Sequence, residues 1–279
     1  MRSAPLLALA VATLACSREA APPAATQAEP HQVTITATDY GYILPASPVT
    51  AGLTTVTLIN TGRELHHVQF YRLTEGKTID DFTAAAKAEG PPPAWAVPEG
   101  GPNGVLPGQQ VSATLDFQPG QYALICRIPS PDGVAHAMKG MILGMEVQQA
   151  EPGATAAALP AGDIQMGLYD FGFSLSQPIT AGTHTFTVKN DAAQPHEVVV
   201  IKVPPGGSMD AWKEWISSGM KTPPPGEPFS GITDIAPGAT QNFTATFEAG
   251  TYGLICFVPD ATDGQPHLFH GMLTQFTVS

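Results

Sequence analysis

Apolar and polar positions alternate in short runs along most of the chain, and turn-forming residues cut each run off after six to eight positions. Residues 54–59 and 183–188 are rich in β-branched and apolar side chains and stop at Asn60 and Asn190, which predicts a strand at each. Residues 67–71 and 197–201 predict the strand that follows. Residues 111–117 and 241–247 alternate before a Pro-Gly or Ala-Gly turn, and residues 141–147 and 272–278 predict a closing strand in each set. Helical spacing is confined to residues 79–88 and 209–218. The second carries Trp212 and Trp215, expected to pack on the adjacent sheet, and the proline runs at 91–93 and 223–225 end both helices.

The elements come in two matching sets because the chain repeats. Gly120-Gln-Tyr-Ala-Leu-Ile-Cys126 returns as Gly250-Thr-Tyr-Gly-Leu-Ile-Cys256, an offset of 130, which also relates His66 to His196 and Phe117 to Phe247. After the cysteine the offset becomes 131 and pairs His136 with His267 and Met141 with Met272. A period this long is a duplicated domain, since solenoid repeats run about 20–50 residues. The expectation is an all-β chain of two tandem antiparallel β-sandwiches, at 31–148 and 162–279, with a Pro/Gly/Ala-rich linker at 149–161.

Composition supports this and adds a location. With 28 Gly and 28 Pro in 279 residues the chain cannot be mostly helical. Its 12 basic and 24 acidic residues, net −12, argue against a nucleic-acid partner. Residues 1–15 read as an export signal: Arg2, then an apolar run too short to span a bilayer. The run ends Ala12-Thr13-Leu14-Ala15-Cys16, which resembles the bacterial lipobox and implies that Cys16 carries a lipid. Residues 16–30 then form a flexible tether. The expected location is outside the cytoplasmic membrane, facing the periplasm or cell exterior and anchored through Cys16. The acidic surface (net −4 over 31–148 from 6 basic and 10 acidic residues) suits a basic partner.

Each unit also carries one upstream His and then a Cys, a His and a Met: His66, Cys126, His136 and Met141, and His196, Cys256, His267 and Met272. Two imidazoles, a thiolate and a thioether suit a soft, redox-active metal, and His2Cys with a weak axial Met is the donor set of a blue-copper site. The competing readings are a buried structural cysteine, or a Cys126–Cys256 disulfide in an oxidising compartment. His67 and His270 lack counterparts (Glu197 and Lys139 stand there) and remain candidates for an accessory site or plain solvated histidines.

The order of these residues, the Gly-x-Tyr-x-Leu-Ile-Cys lead-in, the Gly-Met before the last strand and Pro195-His196-Glu197 resemble plastocyanin-like cupredoxins across both units. The resemblance implies Greek-key sandwiches, each binding one copper through the four residues just named. It departs from the pattern in one respect: nine and ten residues separate Cys from the next His, where cupredoxins have two to four. The added segments either loop out and return the His, cover its edge, or alter the metal geometry.

Three functions follow from the resemblance. The leading one is a membrane-tethered two-site electron carrier, working with a redox or copper-trafficking protein. The alternatives are copper binding, delivery or storage, and a metal-free interaction module. An enzyme is not expected, because the neighbours of the cysteines are Ile125, Arg127, Ile255 and Phe257 rather than the histidines that link a laccase-like cluster.

Overall fold

The computed structural model describes residues 28–88, 90–153, 155–220 and 222–279. The export signal, Cys16 and most of the tether lie outside the described residues.

The first half runs β1 (His31–Thr38), β2 (Gly41–Ile43), β3 (Val49–Thr50), β4 (Gly52–Asn60), β5 (Gln69–Leu73), α1 (Ile79–Lys87), β6 (Ala96–Pro98), β7 (Gln110–Phe117), β8 (Gly120–Ile125) and β9 (Ile142–Gln148). The second runs β10 (Ile164–Tyr169), β11 (Gly172–Leu175), β12 (Gly182–Asn190), β13 (His196–Val203), α2 (Ala211–Ser217), β14 (Glu227–Ile235), β15 (Thr240–Phe247), β16 (Gly250–Ile255) and β17 (Leu273–Val278). In each half two sheets enclose an apolar core, one holding Ile35, Leu58, Phe70, Phe117 and Tyr122, the other Leu168, Phe186, Val200, Phe243 and Tyr252. The alternating burial of β1 and β4 is what a two-layer sandwich requires of each strand. Trp212 is buried against Val199, Ile201 and Phe257, so α2 packs on its own sheet as expected.

The sandwiches are mixed rather than antiparallel. β1 runs parallel to β4, β10 parallel to β12, and β3 parallel to β9. In the first half the chain between β1 and β4 forms β2 and then crosses to the other sheet as β3, and such a crossover is what parallel neighbours need. β1, β2, β3, β6, β8, β10, β11, β14 and β16 had not been read from the sequence.

The two halves share structure. β7 and β15 pair edge to edge, so that one eight-stranded sheet, ordered β11-β10-β12-β15-β7-β4-β1-β2, runs through both. Ala113 there faces Phe243, its own counterpart at offset 130. Beside it, residues 98–103 run antiparallel to β14: Gly100 N–H donates to Asp234 O (2.9 Å), Thr233 N–H to Gly101 O (2.9 Å) and Asn103 N–H to Gly231 O (3.3 Å). Pro102 bridges its counterpart Ile232. The halves therefore meet about a local pseudo-twofold axis. Close approach here demands glycine: at Gly101 and Gly231, with φ of 136° and 130°, a Cβ would run into the carbonyls of Val68 and Val198.

Candidate metal centres

β8 delivers Cys126 at its end, and the chain then makes the long excursion that set this sequence apart. It folds on itself. Pro129 bridges Ala135, Ser130 N–H donates to Val134 O (2.9 Å), and His136 N–H donates to Ile128 O (2.9 Å). The extra residues form a small side hairpin, and His136 re-enters two positions from Cys126 as though they were not there. The second half repeats this with Pro259 and Pro266, Asp260 N–H to Gln265 O (2.8 Å) and His267 N–H to Val258 O (2.9 Å). Of the outcomes the sequence left open, the structure has the segments looping out and returning the His.

A short web of backbone bonds then fixes each centre. Ala137 N–H donates to Cys126 O (2.8 Å), Met141 N–H to His136 O (3.0 Å) and Cys126 N–H to Met141 O (3.2 Å). Leu268, Met272 and Cys256 repeat the pattern at 3.1, 3.0 and 3.2 Å. The upstream histidines are placed by Asn60 and Asn190, both fully buried. Asn60 Nδ2 donates to Glu64 O (2.7 Å) and Val105 O (2.9 Å), and Asn190 Nδ2 to Gln194 O (2.9 Å) and Ile235 O (3.0 Å).

Three donors converge in each half. Cys126 Sγ lies 4.0 Å from His66 Nδ1 and 3.4 Å from His136 Nδ1; Cys256 Sγ lies 3.9 Å from His196 Nδ1 and 3.4 Å from His267 Nδ1. All six residues are fully buried, and Met141 and Met272, also fully buried, share the core clusters of Cys126 and Cys256. Both cysteines are free thiols, so the disulfide alternative falls. Donors at about 2.0 and 2.3 Å from a common centre in a trigonal plane stand about 3.8 Å apart, and these spacings bracket that value. The residues fit a soft metal ion.

Burial sets the protonation of these donors. It pushes the Cys126 thiol up to about 12 and Cys256 well above its usual value. Burial also pulls His66 and His267 down to about 4, helped by the neighbouring imidazole, and lowers His196 against the pull of Asp170. Burial thus favours the neutral imidazole at His66, His196 and His267, and each set holds a buried thiol that gives up its proton on binding a cation.

Around this common set the halves differ. In the first, Glu64 Oε2 lies 2.8 Å from Nε2 of the downstream His136, while the upstream His66 Nε2 is buried without a partner. Asp39 sits nearby, but its carboxylate accepts Arg63 N–H at 2.6 Å and Arg63 Nε–H at 2.7 Å. In the second half Arg63 is replaced by Ala193 and Glu64 by Gln194. There Asp170, the counterpart of Asp39, lies 2.6 Å from Nε2 of the upstream His196, and the downstream His267 Nε2 is the orphan. Tyr40 (φ 81°) and its counterpart Phe171 cap His136 and His267, with ring centroids 5.4 and 4.9 Å away.

His67 and His270 are not brought together. His67 is buried against Asn103 and the Arg127 amide, outside any cluster of three donors among the described residues. His270 sits at the surface beside Asp263 (3.3 Å) and Phe171. The sequence reading missed Asp39, Glu64, Asp170, Asn103 and the capping rings. Asp39-Tyr40 and Asp170-Phe171 do recur at offset 131, a signal that was available.

No family model matches the sequence, and no curated protein does. Solved structures align with it. An auracyanin from Roseiflexus castenholzii is 24% identical, with a TM-score of 0.29, over 41% of this chain and 94% of its own. A blue copper oxidase from Nitrosomonas europaea is 13% identical, TM-score 0.27, over 90% of this chain and 86% of its own. A copper nitrite reductase from the same organism is 13% identical, TM-score 0.26, over 90% and 94%. Against the expectation of a non-enzyme, these last two chains, aligned along nine-tenths of this one, are titled as an oxidase and a reductase. No helix among the described residues is long and apolar enough to cross a membrane. By its strand order the chain is two mixed β-sandwiches joined through one sheet, each carrying a buried His–Cys–His donor set.

Proposed function

We propose that this protein is a two-site copper redox protein that carries electrons outside the cytoplasmic membrane, tethered there by a lipid on Cys16. The observation that supports it is the pair of equivalent buried His–Cys–His sets, each with a methionine beside it in the core. His66, Cys126, His136 and Met141 would hold one copper, and His196, Cys256, His267 and Met272 the other. Copper in such a set supplies one-electron chemistry between Cu(I) and Cu(II). The chain's part is to hold the donors still. The backbone web ties Cys126, His136 and Met141 to one another, so neither oxidation state requires them to move. Burial keeps water off the thiolate, and the carboxylates of Glu64 and Asp170 fix the orientation of His136 and His196.

Metal content, visible absorption and EPR of the copper-loaded wild type, Cys126→Ala and Cys256→Ala provide the test. Each variant is expected to keep one copper and one intense thiolate-to-copper band. Absence of such a band from both would overturn the reading.

A further inference from the structure

The residues that follow the two cysteines are joined by an unbroken chain of buried hydrogen bonds. Arg127, next to Cys126, donates its backbone N–H to His67 Nε2 at 2.9 Å. That contact leaves the His67 proton on Nδ1, which faces Asn103 Oδ1 at 3.3 Å. Asn103 Nδ2 then crosses to the other half and donates to Glu197 Oε2 at 2.9 Å. Glu197 Oε1 accepts the backbone N–H of Phe257, next to Cys256, at 2.9 Å. His67 and Glu197 also directly follow His66 and His196, so each end of the chain is attached to its donor set twice.

We infer that His67, Asn103 and Glu197 form an electron relay between the two metal centres. The inference rests on the two-copper reading above. One electron passes from Cu(I) in one half, which is oxidised to Cu(II), to Cu(II) in the other, which is reduced to Cu(I). No proton moves and no bond breaks, because every donor and acceptor along the path is already paired in one orientation. Asn103 cannot turn over without losing a second bond, from Nδ2 to Ile232 O at 3.3 Å.

Two features separate this chain from ordinary interface packing. His67, Asn103 and Glu197 are each more than nine-tenths buried, and polar or charged groups so placed are commonly no more stabilising than apolar ones of the same size. The chain also departs from the pseudo-symmetry of the repeat at its centre. His67 and Glu197 are counterparts, and the residue between them, Asn103, comes from one half only; its own counterpart is Thr233. Other bonds across the interface, such as Gln241 Nε2 to Glu99 O (2.5 Å), lead to neither cysteine.

The relay is tested in the fully loaded protein by reducing one centre with a pulse of radiolytic reductant. Redistribution of the electron is followed by absorption and freeze-quenched EPR, against reference spectra from Cys126→Ala and Cys256→Ala. Asn103→Leu is expected to slow redistribution by about an order of magnitude while both thiolate-to-copper bands persist. His67→Leu, which leaves the Asn103–Glu197 bond in place, should do the same, and His67→Gln, which keeps one acceptor and one donor, should restore it. Gln241→Leu should leave the rate unchanged. In the metal-free protein, the amides of Arg127 and Phe257 should be protected from hydrogen exchange in wild type and the Arg127 amide exposed in His67→Leu. An unchanged rate in Asn103→Leu or His67→Leu with both bands intact, or fast amide exchange in wild type, overturns the relay alone. Loss of the bands from the single-cysteine variants would instead remove the two-copper reading.

Discussion

Arg63 Nε lies 2.7 Å from Asp39 Oδ2, and the contact keeps that carboxylate off the outer nitrogen of His66. Where Arg63 is replaced by Ala193, Asp170 turns to His196 instead. Two differences, Arg63 against Ala193 and Glu64 against Gln194, thus go with the change in which histidine of a centre is backed by a carboxylate. Arg63→Ala is expected to let Asp39 reach His66, since Gly62 between them has no side chain to intervene. A carboxylate on the outer nitrogen makes an imidazole a stronger donor to the oxidised metal, so the potential of the first centre should fall. Spectroelectrochemical titration of Arg63→Ala in the Cys256→Ala background measures this; an unchanged or higher potential contradicts it.

Glu64 backs His136, and Gln194 at the equivalent place backs nothing at the second centre. Glu64→Gln should therefore weaken copper binding in the first half by roughly 10–100-fold, the usual cost of losing such a partner, and leave the second unchanged. Competition with a chelator, read in the two single-cysteine backgrounds, separates the sites.

The two centres should also differ in potential. Arg63, Arg127 and Lys139 accompany Asp39, Glu64 and Asp132 around the first. Their counterparts around the second are Ala193, Phe257 and His270, while Asp170, Asp260 and Asp263 remain acidic. Uncompensated negative charge favours the oxidised metal, so the second centre should have the lower potential and pass electrons to the first. Each tenfold difference in relative affinity for the two oxidation states corresponds to about 59 mV. Redox titration of Cys126→Ala against Cys256→Ala gives the order directly.

Asp260 holds the side hairpin of the second half. The Gln194 amide and the Thr262 backbone N–H pull its carboxyl down to about 2. Its folded value lies below the usual one, so its contribution is fully present above about 4 and fades as pH falls toward 2. Asp260→Ala should loosen residues 257–266 at neutral pH and remove the acid sensitivity of their NMR signals. If those signals titrate in the variant as in wild type, Asp260 is not the clasp.

Asn60 carries a structural load that reaches the metal. Replacing it with Leu strands the Glu64 carbonyl, at roughly 1–3 kcal/mol, and takes from the Val105 carbonyl one of its two donors, leaving the His66 N–H. The denaturation midpoint should drop, and copper affinity of the first half should drop with it, because the same bonds place residues 64–66. Urea melts combined with the chelator competition test both consequences.

The donor residues were legible because duplication printed them twice: Cys126 and Cys256 stand in nearly identical heptapeptides, and His, Gly and Met follow in step. The strands were legible where alternation was strong, although β1 alternates as clearly as β4 and was passed over. Other features could not be read along the chain. Whether residues 127–135 return His136 depends on hydrogen bonds from Ser130 to Val134 and from His136 to Ile128, a question of closure rather than composition. Asn103 has no repeat partner of its own kind, and its role exists only where two halves distant in sequence touch. The swap of carboxylates turns on Arg63 against Ala193 and Glu64 against Gln194, differences between repeats, whereas the repeat drew attention to what the halves share.

The pairing of β7 with β15 has a consequence for the history of the chain. Ala113 facing Phe243 and Pro102 facing Ile232 are equivalent positions meeting each other, as the surfaces of an isologous homodimer do. A fused dimer no longer has to be identical on its two sides. With both halves on one chain, Arg63, Glu64 and Asn103 stand on one side of the axis where Ala193, Gln194 and Thr233 stand on the other, so the two donor sets are not interchangeable.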